Sequence, residues 1–286
     1  MIELTLNPRN PGEVLACLGL FEVAHLHDIC YAGFKGEGDR TQFVLQSRLS
    51  LKDLLQYVKN AQVEEIPQEE FQGGAKLEFN EKEWPKWCPV RVKFPSSCEI
   101  VLKWWLNPLF QKEKKSILKS WGGRDELVLK RSKKGKEPGF LLEFQAKIDI
   151  DRALNDFFYR VPSRSIGFDA CGAWDPSMMG YSYNTIEKSS LDRRRKNEKN
   201  PHVSPLCEFL SFIALRSFRP REIQEGDEEK IEYYLWRVLL PHDMARLAFI
   251  GVLDRRYQLS GWRARVIKRG KGGAYSSLDY ADFIFP

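Results

Sequence analysis

The first 27 residues leave the chain few choices. Ile2, Leu4 and Leu6 alternate with Glu3, Thr5 and Asn7, the two-residue period of a half-buried strand. Two Asn-Pro pairs follow, and Pro8 and Pro11 keep the residues before them out of the helical region, so the strand must turn. Asn10 is then placed as a helix N-cap with Pro11 at the first helical position. Val14, Leu15, Leu18, Phe21 and Leu26 make a broad apolar stripe. Ala16, Gly19 and Ala24 keep the helix slim, so that a neighbouring element can approach closely. A phosphate-binding turn at this place lacks the glycine pattern it needs.

The elements that follow extend this start. The stretches "ICYAGFKGEG" and "TQFVLQSR" read as two strands joined by a Gly/Asp-rich hairpin, and "SLKDLLQYVKNA" as an amphipathic helix capped by Ser50. The order β-α-β-β-α predicts an α+β fold: an RRM- or ferredoxin-like antiparallel sheet with helices on one face. Residues 1–286 are expected to form one such domain, carrying long basic insertions. Residues 64–73 read as a loop. "KLEFN", "VRVKF", "CEIVLKWWL", "SIGF", "IEYYLWRVLLP" and "RYQLSGWRARVIKRG" read as strands. "KEKKSILKSW", the second half of "FQAKIDIDRALNDFFYRV", "PLCEFLSFIALRSF" and "HDMARLAFIGVL" read as helices. As neighbours on a strand, Trp104 and Trp105 point to opposite sides, so only one of them can enter the core.

Charge is unevenly placed. The net charge is +6, yet residues 112–136 hold ten Lys/Arg against three acids, residues 187–199 six against three, and residues 254–271 seven against one. The remainder is therefore net acidic. Such segregation suits a polyanion, because each phosphate neutralised by a cation releases a counterion. Two basic excursions from the sheet are expected, at about 112–136 and 187–203. The first is too charged to be a core element on this reading. Candidate phosphate-binding residues are Lys130, Arg131, Lys133, Lys134, Arg193, Arg194, Arg195, Lys196, Arg255, Arg256, Arg265, Lys268 and Arg269. "RGKGG" adds a turn whose backbone N–H groups can approach phosphates.

Catalytic chemistry is poorly represented. The six cysteines form no CxxC pair and there are four histidines, which argues against a zinc site or a disulfide framework. No cofactor or metal is expected. Asp149/Asp151 sit at a helix start, where acids favour the dipole, and Asp227/Glu228/Glu229 in a surface turn. Metal-independent RNA cleavage requires a general base near a 2′-hydroxyl. His25 falls near the apolar face of the first helix and His242 at the cap of another. His202, with basic neighbours, is the one weak candidate. Trp84, Trp87, Trp104 and Trp105 serve either as core or as stacking surfaces for bases. No membrane span and no leader segment are evident, so a cytoplasmic protein with reduced thiols is expected.

Five pieces in order, "NPGEVLACLGLFE", "SRSIGFDACGAWDPSMMGYSYN", "LRSFRP", "YYLWRVLLPHDMARLAFIGVL" and "RARVIKRGKGG", resemble the small Csb-type subunit family of type I-U (I-G) CRISPR-Cas systems, related to the RAMP-type Cas proteins. The likeness covers about half the chain and leaves residues 64–140 without a counterpart. It implies an RRM-like subunit of an RNA-guided surveillance complex that binds guide RNA or target DNA beside other effector subunits. None of the five pieces is a catalytic motif. The expected function is thus a non-catalytic nucleic-acid-binding subunit. The alternatives are a metal-independent endoribonuclease that processes CRISPR RNA, and a scaffold whose basic runs meet acidic protein surfaces.

Overall fold

A computed structural model describes residues 1–71, 84–106, 117–122, 126–132, 135–170, 202–269 and 275–284. The expected strand at 76–80, Lys133, Lys134, Arg193, Arg194, Arg195, Lys196 and the Gly-rich turn at 270–273 lie outside these residues.

The opening forms as its sequence dictates. Strand β1 (Ile2–Thr5) buries Ile2 and Leu4 and exposes Glu3 and Thr5. Helix α1 (Pro11–His27) starts at Asn10, whose side chain accepts the Gly12 N–H. Every residue from Pro11 to Ala24 is buried, so α1 is a central helix enclosed on all sides. Strands β2 (Tyr31–Lys35) and β3 (Gln42–Gln46) make the expected hairpin, and α2 (Leu51–Asn60) carries a capping box between Ser50 and Asp53.

The first sheet runs β1-β3-β2, antiparallel throughout, with the short β13 (Leu240–Pro241) added beside β2. The strand after α2, β4 (Gln62–Glu65), does not join it. It pairs with β5 (Val90–Lys93), which pairs with β6 (Glu99–Leu102). Glu64 of β4 meets Arg91 at 3.0 Å and Lys93 at 2.8 Å across that pairing. Residues 64 and 65 are therefore strand, not loop. The helices are not a single layer on one face either: α5 (Pro205–Ala214), buried along its whole length, packs directly on α1. A side chain at Gly19 would run into the Leu210 carbonyl, so the small residue there is what lets the two backbones approach.

The second half builds a larger sheet, in the order β11 (Arg221–Glu225), β12 (Glu228–Trp236), β14 (Gln258–Arg269), β15 (Tyr275–Leu278). Strand β16 (Asp282–Ile284) also pairs with β14. Helix α6 (His242–Phe249) follows β13. One cluster of buried side chains includes residues from Ile2 to Ala281, and among the described residues no helix is long and apolar enough to cross a membrane.

Several expectations are corrected. Trp104 and Trp105 lie in a 3₁₀ turn (Trp104–Leu106), not on a strand, and both are buried, at 3% and 1% exposure. The turn abolishes the two-sided alternation on which the expectation rested. The basic excursion is partly core: Ile117, Leu118, Trp121, Leu127 and Val128 are all buried. Its net charge says nothing about amphipathicity, and its apolar residues turn inward on a helical turn (Lys119–Gly122) and a hairpin of β7 (Leu129–Ser132) and β8 (Gly135–Pro138). The helical part of 140–160 comes earlier than expected, as α3 (Phe140–Lys147) and α4 (Ile150–Asn155). Residues 163–169 form no strand. Strand β12 ends at Trp236 before "VLLP", and Glu228 and Glu229 belong to it instead of a surface turn.

Candidate nucleic-acid interface

The irregular segment from Ser163 to Ala170 is fixed by buried polar groups. Glu208 of α5 is completely buried and accepts from the Ser165 hydroxyl at 2.5 Å and from the N–H groups of Ile166, Phe168 and Asp169 at 3.2–3.4 Å. Burial pushes its carboxyl up to about 7; the Ser165 hydrogen bond opposes the rise and the nearby Asp169 charge adds to it. Asp169 accepts from Asn10 Nδ2 at 2.8 Å, Arg160 Nε at 3.2 Å and the Ser204 N–H at 2.9 Å. Asn10 Oδ1 in turn accepts the N–H of Gly12 at 3.1 Å and of Ala170 at 3.0 Å. Glu13 takes the Asn7 N–H at 2.7 Å and Arg160 Nη2 at 2.8 Å. Its carboxyl is raised by burial, with the Asn7 hydrogen bond and the Arg160 charge working against the rise. Gly12 is required because a side chain there would strike the Phe168 carbonyl.

Described parts of two basic stretches, and the point at which the chain resumes after the remaining one, come to this segment. Arg164 Nη1 reaches Glu126 at 3.4 Å and Nη2 reaches the Pro138 carbonyl at 3.5 Å, so the β7–β8 hairpin is anchored to it. Trp121, from the same stretch, stacks on Phe168 at 5.6 Å. For the second stretch, β9 (Val161–Pro162) pairs with β10 (His202–Val203), and Asp169 holds Ser204. The chain thus leaves the described structure at Ala170 and re-enters it at His202 in one place. The third stretch arrives through β15, which pairs with Val266–Arg269 of β14. The carbonyl of Gly167, a residue at φ +98°, accepts the Leu278 N–H at 2.7 Å, and the missing side chain leaves room for the Ser276 carbonyl. Without a side chain, glycine takes this backbone conformation freely.

The candidate residues are distributed as follows. Lys130 lies half-buried on β7 opposite Glu137, and Arg131 follows it on the same strand. Lys268 and Arg269 end β14 opposite Ser276 and Tyr275. Lys268 pairs with Ser276, whose carbonyl faces Gly167; Lys130 follows Leu129, the partner of Pro138; and exposed His202 on β10 pairs with Pro162, just before the segment. His202 is on a strand, not in a loop. Arg265 faces outward on β14 and pairs with Asp279 at 3.1 Å. Arg255 and Arg256 lie elsewhere, in a 3₁₀ turn (Arg255–Tyr257) at the opposite end of β14; Arg256 is bound to Asp254 at 3.1 Å and Arg255 has no ion pair among the described residues. Many described cations are already compensated. Arg263 meets Glu225 and Glu232, Lys230 meets Glu225 and Glu228, and Lys147 meets Glu143. The outer face of the second sheet is a lattice of alternating charges, which the sequence, read one stretch at a time, does not reveal.

His242 and most of the described cysteines are packed inside. His242 is buried, bonds to Glu22 Oε2 at 2.6 Å and stacks on His25 at 4.3 Å. It is the first residue of α6, whose N-cap is Pro241. His25 is exposed, contrary to expectation, because α1 is enclosed only as far as Ala24. Glu22, which also binds Arg216, keeps its carboxyl below the ordinary range: burial alone would raise it, and His242 and Arg216 outweigh burial. His27 stacks on Tyr57. Asp149 caps α4 through the Arg152 N–H at 3.1 Å. Cys17, Cys30, Cys88, Cys98 and Cys207 are free thiols. Burial pushes Cys17 and Cys207 far up and Cys30 to about 12, so these three are not thiolates at neutral pH. Among the described residues no group of three or more His, Cys, Asp or Glu is placed to hold a metal ion.

Comparison with known proteins found no matching family model, no matching curated protein and no matching solved structure.

Proposed function

We propose that the chain is a non-catalytic nucleic-acid-binding subunit of a type I CRISPR RNA-guided effector complex, contacting guide RNA or target DNA along the surface around Ser163–Ala170. The observation that carries this reading is that strands from two basic stretches far apart in sequence, β7 with Lys130 and Arg131 and the end of β14 with Lys268 and Arg269, come to one hydrogen-bonded segment, beside which β10 resumes the chain after the remaining stretch. A polyanion lying there meets cations from both described strands, and each neutralised phosphate adds counterion release. The segment and its Asn10–Glu13 partners come from two of the five sequence pieces whose order carries the family resemblance. In this reading those pieces position the interface and do not perform chemistry. The order β1-β3-β2 fits an RRM-like core whose fourth strand has been redirected into a separate sheet.

The test is binding of the purified full chain to RNA and DNA oligonucleotides over a range of salt concentrations. Replacing Arg193, Arg194, Arg195 and Lys196 by Ala, and separately Lys130 and Arg131 by Ala, should each weaken binding. Each should also flatten the salt dependence by roughly 0.7 for every phosphate no longer neutralised. Unchanged slopes in both variants would overturn the proposal. His202 alone among the four histidines borders this segment, which makes metal-independent cleavage the competing reading. Specific RNA cuts that disappear in His202→Ala would replace binding with catalysis.

A further inference from the structure

At the start of β14, away from the segment just described, an aromatic ring stands exposed among arginines. Asp254 caps the turn by accepting the Arg256 N–H at 2.9 Å, and the Tyr257 N–H returns to the Asp254 carbonyl at 2.9 Å. The turn leaves Tyr257 44% exposed. Its carbonyl accepts the Arg237 N–H at 2.8 Å, and Arg237 Nε reaches the Gln258 carbonyl at 3.1 Å. The side chain of Arg256 lies 5.9 Å from the Tyr257 ring centroid. Arg237 and Arg255 are exposed and form no ion pair among the described residues. Gln258 Nε2 ties in the neighbouring loop at the carbonyls of Gly251 and Leu253, 3.3 and 3.0 Å away. That loop presents Val252, 64% exposed, and Val238 follows Arg237 with 37% exposed.

The patch therefore combines a projecting ring, two aliphatic neighbours and three arginines against one aspartate. An exposed aromatic flanked by cations is what a nucleobase and its phosphate require together, because the ring stacks on any base and the guanidinium groups take the backbone. A base paired within a duplex does not offer its face to such a ring. We infer that Tyr257 is a stacking platform for single-stranded nucleic acid, with Arg237 and Arg255 on the adjoining phosphates. The inference rests on the proposed function and extends it. The twelve residues of β14 span roughly 36 Å between this platform and the interface at its other end, so the two sites lie along one strand of the protein and set a path for the ligand.

The inference is tested by measuring affinity of the full chain for one oligonucleotide as a single strand and as a duplex. Tyr257→Ala should weaken single-strand binding by roughly 5- to 150-fold, leave duplex binding unchanged and leave the salt slope unchanged. Tyr257→Phe should retain wild-type affinity, since the ring and not the hydroxyl does the stacking. Arg255→Ala should instead flatten the slope by roughly 0.7. Wild-type binding that persists unaltered in Tyr257→Ala would overturn the platform and leave the proposed function standing. Absence of any oligonucleotide binding by the wild type would overturn both. Loss of association with a co-expressed protein in Tyr257→Ala, with oligonucleotide binding intact, would make the patch a protein-binding surface and the inference wrong.

Discussion

A single buried amide, that of Asn10, holds two distant parts of the chain at once. Its oxygen caps α1 and takes the Ala170 N–H; its nitrogen donates to Glu13 and Asp169. Removing it strands polar groups in a buried site, and unsatisfied buried groups cost more than the net value of the bonds they made. Asn10→Ala should lose roughly 2–4 kcal/mol in urea unfolding, beyond what a surface N-cap contributes. Glu208 makes a different prediction. Its folded carboxyl, at about 7, lies above the ordinary 4.5, so the folded state binds the proton more tightly than the unfolded chain. The stabilisation is full below 4.5 and is lost as the pH rises to about 7. Glu208→Gln mimics the neutral acid and removes this dependence. Relative to wild type, the variant should gain about 3 kcal/mol across that window, read from unfolding midpoints at several pH values. A constant difference would mean that Glu208 does not titrate there.

At the level of elements, the sequence is legible where the period is long and uninterrupted. The N-cap and first turn of α1, the Ser50 capping box, the fully buried α5 and strand β14 all follow from local pattern. Legibility ends where neighbours decide. Trp104 and Trp105 follow a strand and continue its composition, but the chain tightens into a turn that buries both against Phe212. The Lys119–Gly122 turn hides Trp121 within a stretch whose charge masks its apolar spacing. The acids that neutralise β14 sit on β11, β12 and the residues after β15, and no local pattern announces them. Gly19 is recognisable in the sequence as a slim position, yet only the packing of α5 shows how little room there is. An exposed Gly→Ala change in a helix gains about 1 kcal/mol. Gly19→Ala should reverse that sign and lose roughly 1–3 kcal/mol, because the atom it meets is the backbone of Leu210, which cannot turn aside. A raised melting temperature in this variant would show that α1 and α5 do not approach so closely.

For the molecule as a whole, the candidate interface is a matter of topology more than of composition. Basic residues are visible in the sequence, and so are the two pieces that hold the central segment. What brings them together is long-range: Asn10 to Asp169, Pro162 to His202, Gly167 to Leu278. The second of these joins has a consequence for how such a protein can change over generations. Because Asp169 is hydrogen-bonded directly to Ser204, the 31 residues between Ala170 and His202 close a ring on an already finished frame. The entropy of closing such a ring rises only slowly with its length. The joins themselves therefore set little limit on how many residues the gene places between them.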